Sequence, residues 1–228
     1  MRVAIHQPQY LPWLGYFDKV DQVDLFVMLD NVQFKKNEWQ NRNRIKTAQG
    51  WQWMTVPVFH QYPEKIGDIR INNQVDWKRK HLHAVQTNYN RSPYFRDYYP
   101  FFEDLYKKEW PALSVLNCNI IEYLMGILGI KRKILLSSQM KLRDGPTERL
   151  IDICRAVGAD TYLTGKGGEN YLDLDRFEEA NINVELQSFE HPVYPQLYGP
   201  FEPALSVIDL LFNCGPQSLD ILRQGRSC

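Results

Sequence analysis

His6 and Gln7 stand at the end of a short apolar run, Val3-Ala4-Ile5, and the prolines at 8 and 12 keep the chain out of a helix until about Leu14. An imidazole and an amide at the end of a buried strand suit acid–base work or the holding of a phosphate; the plainer alternative is a histidine that only hydrogen-bonds loop backbone. Far along the chain, Gly165-Lys166-Gly167-Gly168 follows the strand-like Thr161–Thr164 and precedes Tyr171-Leu172-Asp173. Glycines let backbone N–H groups approach a phosphate or carboxylate, and Lys166 adds charge. The pattern is neither a P-loop nor GxGxxG, so a tight strand-to-helix turn is the competing reading. In an open α/β sheet ligands bind where strands end, so if the two strands are parallel neighbours these loops meet in one cleft. Asp30 follows the apolar run Leu25–Leu29. A right-handed crossover puts it at the same sheet edge, placed to orient His6 and favour its imidazolium.

Further candidates lie outside that pair of loops. Gln40, Arg42 and Asn43 are planar hydrogen-bond formers suited to phosphate or carboxylate, whereas Arg44 and Lys46 read as a solvated basic loop. His191, Tyr194 and Gln196 sit among prolines, which hold side chains with little entropy left to lose; His191 either reaches the cleft or stabilises its own loop. His81 and His83 are two apart on a helical pattern and face different ways, and no HExxH exists, so no metal site is assigned. Cys118 and Cys154 fall on apolar helix faces as buried thiols, and Cys214 lacks a basic partner that would make it a nucleophile. No CxxC pair occurs, which argues against a disulfide framework and against zinc.

The elements that must position these residues alternate. Arg2–Ile5 is a strand, 14–20 a helix, and Asp24–Leu29 a strand buried on both faces. Residues 33–46 turn polar and basic. Strands near Trp51–Val58 and Ile69–Ile71 predict an inserted antiparallel element, and 77–128 is helical, with Ser92 as N-cap of a helix beginning at Pro93 and a third helix ending at Gly129. The aromatic stripe from Tyr94 to Phe102 is core. Alternation then returns: strand 134–136, helix 147–157 capped by Thr147 or Asp144 and stopped by Gly158, strand 161–164, helix 174–180, strand 184–189, and a final helix to Phe212. Five strands in two halves predict an open, mainly parallel, doubly wound sheet of nucleotide-binding type, with residues 33–128 inserted as a helical and antiparallel subdomain over the cleft. The whole chain reads as one domain.

The bulk numbers narrow the class. With 228 residues, 44% of them hydrophobic, the chain can bury a core; 27 basic against 27 acidic residues argue against nucleic-acid binding. No apolar run is long enough to span a membrane, and Met1-Arg2 is followed within a few residues by His6, Gln7 and Pro8 rather than by the apolar stretch of a signal peptide, so a cytoplasmic protein is expected. The many tyrosines and tryptophans suit a sugar or nucleotide pocket.

Several segments together resemble the WbqC-like family: the start from His6 to Phe17, the run Gln40–Ile45, Trp53–Val58, Tyr162–Asp173, His191–Gln196 and Gly199–Gly215. Members occur in bacterial gene clusters for O-antigen and other surface polysaccharides. A more distant likeness is to the HIGH-motif nucleotidyltransferases and pantothenate synthetases, because Trp13-Leu14-Gly15-Tyr16 falls where those enzymes carry His-x-Gly-His. Both histidine positions are aromatic here, which puts adenylyl transfer in doubt.

The resemblance implies modification of a nucleotide-linked sugar, and the expected activity is transfer of an acyl or aminoacyl group to the amine of a nucleotide-linked amino sugar. His6 would be general base, Asp30 would orient it or bind the amine, and His191 would serve in place of a lost motif histidine. Gln7, Gln40, Arg42, Asn43, Lys166, Tyr171, Tyr194 and Gln196 would bind substrate, with Gly167 and Gly168 offering N–H groups. The co-substrates it implies are ATP with magnesium or a thioester acyl donor on coenzyme A or an acyl-carrier protein. An ATP-dependent ligase or nucleotidyltransferase, and a non-catalytic nucleotide-sugar binder, stand as alternatives.

Overall fold

The computed structural model describes residues 1–168 and 172–226. In chain order it runs β1 (Arg2–His6), α1 (Leu14–Asp21), β2 (Leu25–Met28), β3 (Arg42–Thr47), β4 (Gly50–Thr55), β5 (Val58–Phe59) and β6 (Arg70–Ile71). Three helices follow, α2 (Trp77–Tyr89), α3 (Phe95–Lys107) and α4 (Leu113–Leu128). The chain then returns to alternation through β7 (Lys133–Leu136), α5 (Pro146–Val157), β8 (Thr161–Thr164), α6 (Leu174–Glu179), β9 (Asn183–Leu186), α7 (Val207–Cys214) and α8 (Ser218–Arg223).

The central sheet has five parallel strands in the order β7-β2-β1-β8-β9. This is the expected open α/β sheet. The chain winds outward from β1 through β2 to β7, then returns to the other side of β1 for β8 and β9. The order therefore reverses between β1 and β8, with Val3 opposite both Leu25 and Tyr162. Side chains alternate across the sheet: Val3, Ile5, Leu25 and Val27 enter one core with Leu150, Ile153 and Phe177, while Ala4, Phe26 and Met28 enter the other with residues of α1, α4 and α7.

Between β2 and β7 lie the antiparallel pairs β3–β4 and β5–β6 and the helices α2–α4. Their apolar faces share one core with the sheet. β3 was not expected: its sequence RNRIKT looks polar, yet Asn43 and Ile45 are buried and the strand pairs with β4 over its whole length. The helix after Pro93 begins at Phe95, and Ser92 does not cap it; the Ser92 hydroxyl instead donates to Tyr89 O at the end of α2, 2.6 Å away. Neither Thr147 nor Asp144 caps α5, which begins behind Gly145 with Pro146 in its first turn. Gly129 and Gly158 stop their helices in left-handed conformation, φ 73° and 72°. β9 ends at Leu186, and α8, hidden behind Gly215-Pro216, closes the chain.

The C-terminal segment locks α1. Arg226 Nε lies 2.6 Å from Asp18 Oδ1, and Arg223 Nε 2.8 Å from Asp21 Oδ2; Arg226 also reaches Asp21. Asp18 is wholly buried and accepts further from Gln22 and Gln187, 2.6 and 2.7 Å away. Burial pushes the Asp21 carboxyl up, but the hydrogen bonds from Arg223 and Arg226 outweigh it and leave the group below its usual range. Removing one partner of a buried pair strands the other charge. Arg226→Ala is therefore expected to cost roughly 3 kcal/mol in urea unfolding at pH 7; a loss below about 1 kcal/mol would show that the clamp behaves as an exposed surface pair.

Candidate functional site

At the reversal point a cavity of about 380 Å³ opens between the C-terminal ends of β1 and β8. His6, Gln9, Trp13 and Lys19 form one wall, and Thr164 with the turn Gly165–Gly168 forms the other. Trp39, Gln187 and Phe189 close its rim. A second cavity of about 370 Å³ flanks His6 on the other side, lined by Gln7, Leu29, Val32, Lys35 and Arg149 among others. Ile5, His6 and Tyr162 border both, so His6 stands in the partition. The loops after β1 and β8 thus meet, and the structure brings His6, Lys166, Gly167 and Gly168 into one crevice.

The His6 ring stacks on Tyr16, centroids 5.0 Å apart, and its buried Nδ1 has no hydrogen-bond partner. Burial, and then the neighbouring Lys19 charge, hold it well below the ordinary histidine value, so the ring is neutral at pH 7. A neutral imidazole can accept a proton; the imidazolium expected from an Asp30 partner does not form.

Asp30 is committed elsewhere. Its carboxylate accepts from Ser137 Oγ at 2.9 Å, Ser138 N at 2.8 Å and Ser138 Oγ at 2.7 Å, tying the end of β2 to the end of β7. It borders a separate groove with Asn31, Lys65 and Arg143, so the expected orienting contact with His6 is replaced by serine donors.

The residue that sequence reasoning missed is Lys19. It is 5% exposed, lines the cavity, and forms no hydrogen bond or ion pair among the described residues. Burial lowers it to about 8, with Asp18 pulling partly the other way. Asp18 cannot neutralise it by contact, since that carboxylate is taken by Arg226, Gln22 and Gln187. The one available signal was a lysine inside an otherwise buried helix directly after the first strand. Gln9, whose Oε1 is buried without a partner, was passed over as well.

Most remaining candidates hold the walls. Gln40 Nε2 donates to Gln7 Oε1 at 2.7 Å, while Gln40 Oε1 accepts from Lys35 N–H at 2.9 Å. Asn43 Nδ2 donates to Leu11 O at 2.6 Å and so pins the loop after β1, where Leu11 has φ 45°. The Arg42 guanidinium lies 4.1 Å above the Trp53 ring, and Arg44, rather than being a solvated charge, lies 4.9 Å above Trp51 and donates to Ala204 O. Lys46 is buried, donating to Gln196 Oε1 at 2.9 Å and to Pro200 O.

Tyr194 and Gln196 point away from the crevice into that same network. Tyr194 and Tyr89 donate to the two oxygens of buried Asp209, at 3.0 and 2.9 Å. Burial raises Asp209 to about 6 against those hydrogen bonds and the Lys46 charge. His191 stacks on Trp13 behind the rim, both ring nitrogens buried and unpartnered; burial, then Arg44, lowers it to about 4. Burial also pushes the Cys214 thiol up to about 11, which removes it as a nucleophile. Tyr171 lies outside the described residues.

Sheet order and crevice together define an open α/β protein with a cavity at its topological switch point, where sheets of this kind bind ligands. The profile of the WbqC-like protein family matches residues 7–221, and the chain belongs to that family. It is 40% identical to the uncharacterized protein Rv1507c of Mycobacterium tuberculosis over 232 residues, which span 99% of each chain. No solved structure matches.

An unpaired buried ammonium opposes folding. With a folded pKa near 8 against 10.5, Lys19 binds fewer protons folded than unfolded between those values, so its penalty is full below pH 8 and fades as pH rises through the window. Lys19→Met should therefore raise stability at pH 7 by about 2–3 kcal/mol in urea unfolding, with the gain shrinking toward pH 10. A destabilised variant would mean that the ammonium has a partner in solution.

Proposed function

We propose that this protein is an enzyme of surface-polysaccharide biosynthesis that transfers an acyl or aminoacyl group from a thioester to the amine of a nucleotide-linked amino sugar. The observation that carries the reading is a neutral His6 in the partition between two cavities. A transferase must hold donor and acceptor on either side of one base. In the proposed step the amine attacks the thioester carbonyl and the C–N bond forms. His6 takes the proton from the amine, the C–S bond breaks, and the proton passes to the leaving thiolate. The polysaccharide setting comes from the family resemblance.

The sheet supports one competing reading. A parallel α/β sheet with a crevice at the switch point also suits Mg-ATP, as an ATP-dependent ligase or nucleotidyltransferase would require.

A thermal-shift panel separates the two. A ligand at about 100 times its dissociation constant stabilises by roughly 2.7 kcal/mol. Amino-sugar nucleotides linked to dTDP or UDP are expected to stabilise the protein and Mg-ATP is not. Stabilisation by Mg-ATP alone would replace this reading with the ligase, and a silent panel would remove the nucleotide sugar. With the substrate in hand, His6→Ala should keep ligand stabilisation but lose about 10²–10⁴-fold in turnover; unchanged turnover would take His6 out of the mechanism.

A further inference from the structure

We propose that Lys19, with the turn Thr164–Gly168, is the diphosphate subsite of the crevice. This deepens the nucleotide-sugar reading above and rests on it for the identity of the natural ligand. Three independent features point the same way. First, Lys19 is a cation 5% exposed with its ammonium at the cavity and no partner among the described residues. Buried charges persist when something pairs with them, and in a ligand site the missing partner is the ligand. Second, the cavity is built for one sign of charge. Lys19 and Lys166 line it, and among the described residues no Asp or Glu does. Asp18, next to Lys19 in sequence, is turned to Arg226 and the two glutamines, while His6 is neutral. Among the described residues, an anion entering here meets no acidic side chain in the lining.

Third, the facing turn is shaped around the ammonium. A Cβ on Gly165 would lie 3.2 Å from Lys19 Nζ, and a Cβ on Gly168 would lie 2.4 Å from Thr164 Oγ1. Side chains at these positions would crowd the lysine or the strand end. The turn closes through Gly168 N–H to Gly165 O at 2.8 Å, and among the described residues the amides of Lys166 and Gly167, both in the cavity lining, have no acceptor. A buried ammonium and a glycine turn lining one cavity supply the chemistry that holds phosphoryl oxygens. Lys166 is exposed, so solvent and salt screen its contribution.

The test is calorimetric titration of the full chain with inorganic pyrophosphate, and with acetate as the carboxylate control. Wild type should bind pyrophosphate and ignore acetate. Lys19→Met should lose about tenfold or more in affinity while still unfolding cooperatively, and Lys166→Ala should lose no more than about threefold. Gly165→Ala, which displaces the ammonium without removing it, is the second variant and should weaken binding as well. Absence of pyrophosphate binding, equal binding by Lys19→Met, or equal binding of acetate would each overturn the assignment. The outcome is separable from that of the nucleotide-sugar reading. Lys19-dependent pyrophosphate binding with no response to any nucleotide sugar would retain the subsite and discard that substrate. Nucleotide-sugar binding indifferent to Lys19→Met would do the reverse.

Discussion

The pairing of β1 with β8 is the constraint on which the crevice depends. Nothing local joins these strands; they are brought together because the chain leaves β1 in one direction through β2 and β7 and must return to its other edge. Because β1 is central, its side chains are buried on both faces, and Val3, Ile5 and Ala4 divide between two cores. The only freedom left to this strand is at its end. His6 therefore inherits a fixed position, and the turn after β8 inherits a fixed distance from it. A shift of one residue in the pairing would exchange the faces of every side chain on β1, so the geometry of the site is set by packing of the whole sheet.

α1 carries the electrostatic consequence. Along its short length it holds Asp18 and Asp21, each met by arginines of the C-terminal segment, and between them Lys19, which has no hydrogen bond or ion pair among the described residues. Neutralising the two carboxylates from behind removes the counter-charges that would otherwise collapse onto the lysine. The same clamp fixes the helix to which Gln187 of the rim donates at Gly15 O, so the far end of the chain helps to hold the crevice in shape. Burial, and then the Lys19 charge, keep His6 unprotonated. A base and a cation can then work side by side at neutral pH, with the cation available to an anionic ligand.

Much of this was legible in the sequence. Alternating apolar runs with glycine stops gave the α/β class and most strand positions, and the strand-end placement of His6 and of the glycine turn followed from chain order alone. What failed had specific causes. β3 reads as a basic loop because its buried positions are filled by Asn43 and Lys46, whose burial is made possible by partners distant in sequence. Tyr194 and Gln196 look like ligand contacts for the same reason: Asp209 and Lys46, which claim them, lie in other elements. Asp30 was correctly placed at the sheet edge, but serines that follow β7 reach it first. Lys19 could not be singled out because one-dimensional pattern does not show that a neighbouring carboxylate has been taken by an arginine from the other end of the chain.

The account stands most directly on the state of that one ammonium. Heteronuclear NMR of lysine-labelled protein, followed across pH without ligand and with Lys19 assigned by substitution, reads it without reference to any substrate. The account predicts that Lys19 titrates near 8, well below the ordinary lysine value of 10.5. Titration at the ordinary lysine value would mean that the ammonium is solvated or paired. The crevice would then contain no uncompensated buried charge.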